Sequence, residues 1–283
     1  MSFSGPPPRS WLFVPADSSK KMMKALSSEA DAVIFDLEDS VAPGQKELAR
    51  ELLALLPERR DGEPQRWVRI NPIGSEAHDE DLDALDGFDI DGIVLPKAEC
   101  GDDVDDLCAA LAPRSLPIHA IVTETAASLF GLLSYRSVGP ALVAMSWGAE
   151  DLSSALGASS KYSAGGEIAF TYQLARSLCL AGAVAAEAQP IDGVFSDYRD
   201  EEGLSIEARA AASEGFTGKL AIHPAQVAAI NAAFTPSADE IAHAQGIIDA
   251  FAAQPDAGVL SVDGKMVDRP HLVQAQGVLA RAR

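Results

Sequence analysis

Charged and strongly polar side chains recur at one kind of place in this chain, just where a short apolar run ends. Asp36, Glu38 and Asp39 follow AVIF, Arg69 and Asn71 close WVRIN, and Lys97 follows GIVLP. Thr123, Glu124 and Thr125 follow IHAIV, Glu150 and Asp151 follow ALVAMSWGA, Ser196 and Asp197 follow IDGVF, and His223 follows KLAI. Glu124 and Asp151 stand at successive exits and offer hard oxygen atoms. These suit Mg²⁺ or Mn²⁺, with the remaining positions left to water and substrate. Carboxylates in such places also cap helices or form salt bridges, and position alone leaves both readings open. A zinc centre is not expected, because the 5 histidines show no ligand spacing such as HExxH. Arg69, borne on a strand, suits bidentate grip of a carboxylate. Lys97 suits stabilisation of developing negative charge. Either would alternatively neutralise neighbouring acids. Asp36, Glu38 and Asp39 either reach a metal themselves or support the site, and holding Arg69 and Lys97 in place is the favoured role. The acids around Lys97 keep it charged, against a Schiff-base role. His223, before Pro224, reads equally as a base or as a helix-start residue.

For these residues to meet, the C-terminal ends of all the runs must face one side. The runs are Trp11–Pro15, Ala32–Leu37, Trp67–Asn71, Gly92–Leu95, Ile118–Val122, Ala141–Ser146, Ile191–Phe195 and Lys219–Ile222. They are continuously apolar rather than alternating, as strands buried on both faces are. Helical stretches lie between them, among them 44–56, 102–111, 167–188 and 201–214. Eight βα units in about 230 residues match an α/β fold of the TIM (β/α)8 barrel type, whose functional groups come from the C-terminal strand ends. An open doubly wound sheet is the rival, since periodicity does not reveal closure. The barrel is expected over residues 1–235. Residues 236–283 form a C-terminal helical extension, with a helix over 238–253, a turn-rich VDGKMVDRP segment and a short helix over 271–281, serving as lid or oligomer arm.

Composition narrows the function classes. The 283 residues are 47% hydrophobic and carry 42 acids against 22 bases, a net charge of −20. That length supports a well-buried core, and a mean hydropathy of +0.05 argues against disorder. A pI near 4.5 leaves no basic excess for nucleic acid or an anionic membrane. No targeting signal or membrane span is visible. Three cysteines without a C-x-x-C pattern suit a reduced, cytoplasmic protein. GxGxxG, GxxxxGK[ST] and GxSxG are absent, so dinucleotide, P-loop and nucleophile-elbow sites have no support.

The ordered set RSWLFVPA, AVIFDLEDSVAP, WVRIN, GIVLPKAE, the Glu124 exit and WGAEDLSSALG resembles the HpcH/HpaI aldolase and citrate lyase β-subunit (CitE-like) superfamily, close to malyl-CoA and citramalyl-CoA lyases. The likeness runs from Arg9 to GKMVDRPH, and FDLEDSV with GAEDL makes it specific. It implies a TIM barrel, a trimer or hexamer, and Mg²⁺-dependent cleavage or formation of a C–C bond between an acyl thioester and a 2-oxo acid. By position it implies Glu124 and Asp151 as metal ligands, Arg69 on the oxo-acid carboxylate, and Arg9 on the CoA portion. It also implies Asp268 as an acid that a C-terminal lid delivers to a neighbouring subunit. Asp268 would otherwise be a helix-start acid before Pro270. One departure is Thr123–Glu124–Thr125–Ala126–Ala127, where many relatives have a glycine shortly after the glutamate.

The implied reaction is a retro-aldol or retro-Claisen cleavage that releases an acetyl thioester and a 2-oxo acid such as pyruvate, glyoxylate or oxaloacetate. Mg²⁺ would lower the pKa of the substrate hydroxyl, Arg69 would position the carboxylate, and Asp268 would move the proton at the thioester-derived carbon. Three alternatives stand beside it: hydrolysis of a malyl thioester, an aldolase on free hydroxy acids, and a non-catalytic metal and oxo-acid binding subunit. Arg9, Lys20, Lys21 and Lys24 favour a CoA substrate over a free acid, since the CoA pyrophosphate needs such charge.

Overall fold

The computed structural model describes residues 6–282. The chain alternates strand and helix: β1 (Ser10–Pro15), α1 (Ser19–Leu26), β2 (Ala32–Asp36), α2 (Lys46–Ala54), β3 (Gln65–Arg69), α3 (Glu76–Ala84), β4 (Gly92–Leu95), α4 (Gly101–Ala110) and β5 (Ile118–Ile121). It continues with α5 (Ser128–Gly131), β6 (Leu142–Ser146), α6 (Ala149–Ala155), α7 (Phe170–Ala185), β7 (Gln189–Asp192), α8 (Glu201–Glu214), β8 (Gly218–Ala221) and α9 (Val227–Ala233). β1 to β8 are parallel neighbours in sequence order, and β1 also pairs with β8, Trp11 opposite Leu220. That last pairing closes the sheet, so the fold is a TIM barrel and not an open sheet.

Two apolar layers explain why the strands carry no polar alternation until their ends. One face of each strand packs on the helices, through residues such as Val33, Phe35, Val68 and Leu95. The other fills the barrel with Trp11, Ala32, Ile34, Trp67, Val94, Ile121, Ala144, Ile191 and Leu220. Each Val, Leu or Ile side chain among them, once buried, contributes roughly 1.5–3 kcal/mol. Trp11 packs edge-on against Trp67 and His119, with ring centroids 4.9 Å apart in both pairs. Gly92 makes room for this, because a Cβ there would lie 2.3 Å from Trp67 Cζ3. Side chains alternate along a strand. The inward set Ala32, Ile34 therefore continues to Asp36, and Trp67 continues to Arg69. Asp36 and Arg69 are register partners across β2 and β3, which places both at the C-terminal mouth.

The chain beyond the barrel forms α10 (Ala238–Ala253), β9 (Val259–Val262), β10 (Lys265–Asp268) and α11 (Arg269–Ala280). Ser237 and Glu240 form a capping box that starts α10. The extension is not purely helical. VDGKMVDRP turns between two antiparallel strands, with Asp263 at φ +50° and Gly264 at φ +75°, the left-handed pair that a tight Asp-Gly hairpin requires. Val259, Ser261 and Met266 are exposed, so the hairpin lacks the alternation that would have marked it. Ala244, Ile247, Phe251, Val267 and Ala275 give this module its own apolar cluster. Among the described residues, no helix is long and apolar enough to cross a membrane.

Candidate active site at the barrel mouth

Glu124 lies three residues beyond β5 and is 4% exposed. Its Oε2 accepts the backbone N–H of Lys97 at 2.6 Å. Its carboxylate lies against Gly148, where a Cβ would come within 2.7 Å of Glu124 Cγ and 2.9 Å of Oε1. Burial pushes its pKa up to about 8, the charge of Asp151 adds to this, and Arg69 and the Lys97 N–H act in the opposite direction. Asp151 sits in the first turn of α6 and is paired with Lys97 Nζ at 3.3 Å. Two carboxylates so placed could hold a cation, which would relieve their mutual repulsion. A lysine ammonium stands beside one of them, and a glycine keeps space open beside the other. Among the described residues no group of three His, Cys, Asp or Glu side chains converges as a metal cage. A site with two protein carboxylates, completed by water and substrate, suits a Mg²⁺-sized ion.

Arg69 is gripped by Asp36 on two parallel bonds, Nε to Oδ1 at 2.7 Å and Nη2 to Oδ2 at 2.6 Å. Its Nη1 pairs with Glu38 Oε2 at 2.9 Å. Phe13 supports the guanidinium from below, 4.7 Å from ring centroid to Cζ. Burial opposes the charge on Arg69, but Asp36, Glu38 and Glu124 outweigh it and hold the pKa above its ordinary value. Burial likewise acts to raise Asp36, and the Arg69 charge overcomes it, so this carboxyl stays below the usual range. At Glu38 burial prevails over Arg69 and Lys97, and the pKa is raised. Lys97 Nζ bonds to Glu38 and reaches Asp39 at 3.0 Å. Burial would lower its pKa, yet pairing with Glu38, Asp39 and Asp151 raises it. Asp36, Glu38 and Asp39 thus hold the two cations in fixed positions.

A cavity of about 270 Å³ opens at these groups. Asp36, Arg69, Glu124 and Asp151 line one part, and Phe13, Ile121, Val194, Leu220 and Ile222 line another. A second cavity of about 690 Å³ shares the walls Trp147, Ala149 and Val194 and continues to Lys161, Tyr198 and Arg199. The first has the size of a small acid, and the pair together accommodate a longer molecule.

Six sequence-derived candidates do not line the smaller cavity. Arg9 precedes β1, so it lies at the N-terminal rim and not at the mouth. Its guanidinium bonds to Asp31 at 2.9 and 3.0 Å and to Thr235 Oγ1 at 2.6 Å. In a parallel barrel the residue that opens a strand and the residue that ends it face opposite rims, and the sequence reading overlooked that. Lys20, Lys21 and Lys24 are exposed on α1, which leaves the mouth end of β1. His223 caps the turn after β8: its Nδ1 accepts the Ala225 N–H at 3.1 Å, and its ring stacks on Tyr198 at 4.5 Å. Asp268 begins α11, is paired with His271 and does not line the cavity of its own chain.

Some positions that shape the mouth were missed. Lys46 Nζ bonds to the Leu37 and Glu38 carbonyls and to Asn71 Oδ1 at 2.8, 3.1 and 2.6 Å, which secures the loop that presents Glu38. No spacing signal marks it, since two partners are loop carbonyls and the third, Asn71, lies in the next βα unit. Gly148 and Trp147 stand inside the quoted WGAEDL stretch. Their importance rests on close approach to Glu124 and to β7, which a linear reading does not contain.

Residues 9–224 match the HpcH/HpaI aldolase/citrate lyase family model, and residues 167–283 match that of C–C bond lyases of the TIM-barrel fold. The chain is 39% identical to a (3S)-malyl-CoA thioesterase of Cereibacter sphaeroides over 287 residues, covering 100% of this chain and 97% of the relative. It is 34% identical to the mitochondrial citramalyl-CoA lyase of Rattus norvegicus, over 98% of this chain and 86% of the relative. The crystal structure of CitE from Mycobacterium tuberculosis, in complex with magnesium, acetoacetate and coenzyme A, superposes with a TM-score of 0.82 at 37% identity, covering 99% and 98% of the two chains. The chain belongs to the HpcH/HpaI aldolase/citrate lyase family.

Proposed function

We propose that this protein is a Mg²⁺-dependent carbon–carbon lyase. It cleaves a 3-hydroxy-3-carboxyacyl thioester of the citramalyl-, malyl- or citryl-CoA type to acetyl-CoA and a 2-oxo acid. The observation that carries the reading is the juxtaposition of Glu124, Asp151 and Arg69 around one small cavity, with Lys97 paired to Asp151 beside it. Relatives named for malyl- and citramalyl-CoA, and a structural neighbour holding magnesium, acetoacetate and coenzyme A, support it.

Glu124 and Asp151 would hold the ion, which when bound supplies Lewis-acid polarisation of the substrate's carboxylate and hydroxyl. Arg69, kept rigid by Asp36 and Glu38, orients the carboxylate. The hydroxyl proton passes to solvent water at the open mouth, the bond between the carbinol carbon and the thioester α-carbon breaks, and its electron pair moves into a thioester enolate. The carbinol carbon leaves as the ketone of the oxo acid. Lys97 stabilises the negative charge that develops. The enolate carbon then takes a proton, and Asp268 of a neighbouring copy is the assigned donor. The proposed assembly is a homotrimer or hexamer. Supporting it, Asp268 is absent from the lining of its own cavity, and Phe170, Leu174 and Leu178 leave an exposed apolar face on α7.

A second reading, hydrolysis of a malyl thioester, is favoured by the 39% identity to a malyl-CoA thioesterase. Incubation with malyl-, citramalyl-, methylmalyl- and citryl-CoA and Mg²⁺ separates the two. Acetyl-CoA with an oxo acid identifies the lyase, free CoA with the hydroxy acid identifies the thioesterase, and no turnover of any thioester refutes both.

A further inference from the structure

Trp147 leads from β6 directly into the turn that carries Gly148 and Asp151. Its indole N–H donates to Asp192 Oδ1 at 2.8 Å. Asp192 ends β7, is 1% exposed, and is bound by Lys219 Nζ at 2.7 Å and Arg176 Nε at 2.8 Å. Those cations are tied in turn to Glu207 and Glu214. On its other flank the indole meets Gly193, where a Cβ would lie 2.9 Å from Trp147 Nε1 and 3.1 Å from its carbonyl oxygen. Only glycine admits the ring there. The ring is therefore fixed by a hydrogen bond to a buried carboxylate and by close contact with the strand end. One residue further on, Gly148 presses on the Glu124 carboxylate.

Asp192, Lys219 and Arg176 do not line the mouth cavity, so they contact no bound acid. A buried ion cluster of this kind also offers little net stability over apolar packing of equal volume. The contiguous path runs Asp192, Trp147, Gly148, Glu124, with Asp151 four residues after Trp147. We propose that Asp192, acting through the Trp147 indole, is a positioning residue for the Glu124–Asp151 pair, setting the Gly148 turn so that both carboxylates address one divalent cation. This rests on the reading of that pair as the metal site.

The test is calorimetric titration of Mg²⁺ into the purified full chain and three variants, each checked for a cooperative thermal melt. Trp147→Phe keeps a ring and removes the N–H. Gly193→Ala keeps every hydrogen-bonding group and displaces the ring. Trp11→Phe is the matched control, since it also removes a buried indole N–H, donated to the Pro8 carbonyl at 3.2 Å and far from the mouth. The Mg²⁺ dissociation constant is expected to rise tenfold or more in the first two and less than twofold in the control. Either test variant suffices if the other does not fold. An unchanged constant in the folded test variants overturns the inference while leaving the metal site intact. Equal weakening in Trp11→Phe overturns it as general softening of the barrel. A parent that binds no Mg²⁺ overturns the metal site, and the inference with it.

Discussion

The backbone N–H of Lys97 lies 2.6 Å from Glu124 Oε2, and Lys97 holds it there from the left-handed region, at φ +52°. A non-glycine residue in that conformation costs roughly 1–2 kcal/mol, so the surroundings impose it. Strain of this kind gathers at functional sites. Here it lets one residue serve Glu124 by its main chain and Glu38, Asp39 and Asp151 by its side chain.

Lys97→Gly should separate those two services. Glycine adopts the same φ without strain and keeps the N–H, while the ammonium is lost. Turnover should fall on the order of 10²-fold, with the Mg²⁺ dissociation constant unchanged or lower, because Asp151 loses a competing cation. Steady-state kinetics beside calorimetry reads both. A Mg²⁺ constant that rises tenfold would assign the ammonium to metal retention instead.

Asp151→Ala and Glu124→Gln should each abolish Mg²⁺-dependent release of acetyl-CoA and the calorimetric Mg²⁺ signal. Gly148→Ala, which drives a methyl into Glu124, should resemble Glu124→Gln. If Asp151→Ala keeps full activity, it is not a ligand.

Arg69→Met leaves Asp36, at 1% exposure, without its bidentate partner, and Glu38, at 2%, with Lys97 alone. Breaking a buried pair in this way costs about 3–5 kcal/mol, to be read as a lower denaturant midpoint. Arg69→Lys keeps the charge and loses the fork. That variant should fold but raise KM for the thioester about tenfold or more. Equal stability of Arg69→Met and the parent would contradict the pairing.

His119 gives the barrel a pH signature independent of metal. Its ring is wholly buried, Nε2 bonds to Ser146 Oγ at 2.8 Å, and burial pushes its pKa down to about 3 from 6.5. Between those values the unfolded chain binds the proton and the native chain does not. Stability is therefore complete above about pH 6.5 and is lost as pH falls toward 3, by about 2–3 kcal/mol at pH 4.5. Denaturation of His119→Gln from pH 7 to 4.5 should show a slope shallower by about 1 kcal/mol per pH unit, averaged over that range. Parallel slopes would mean that His119 takes up a proton in the folded barrel.

Asp268→Asn should lower turnover with little change in KM, because Asn keeps the helix-start role. If the residue serves a neighbouring mouth, co-refolding Asp268→Asn with Asp151→Ala should recover measurable activity from sites built of one intact mouth and one intact Asp268. Mixtures as inactive as the separate variants would assign Asp268 to capping alone.

By itself the sequence determined the parallel α/β architecture and most of the mouth. Continuous apolar runs report burial on both strand faces, and a polar residue at the end of nearly every run marks the C-terminal rim. Side-chain alternation sends Asp36 and Arg69 to the same rim as surely as it sends Ile34 and Trp67 inward, so Arg69, Lys97, Glu124 and Asp151 were legible without coordinates. Closure was not, because the β1–β8 pairing leaves no local trace in periodicity. Nor was Arg9's place at the far rim, the hairpin over 259–268 with its exposed strands, or the path from Asp192 through Trp147 to Glu124. Arg9's partners and that path depend on atoms from separate βα units approaching within hydrogen-bond or van der Waals distance, and the hairpin on its packing against α10 and α11; only the tertiary structure sets such distances.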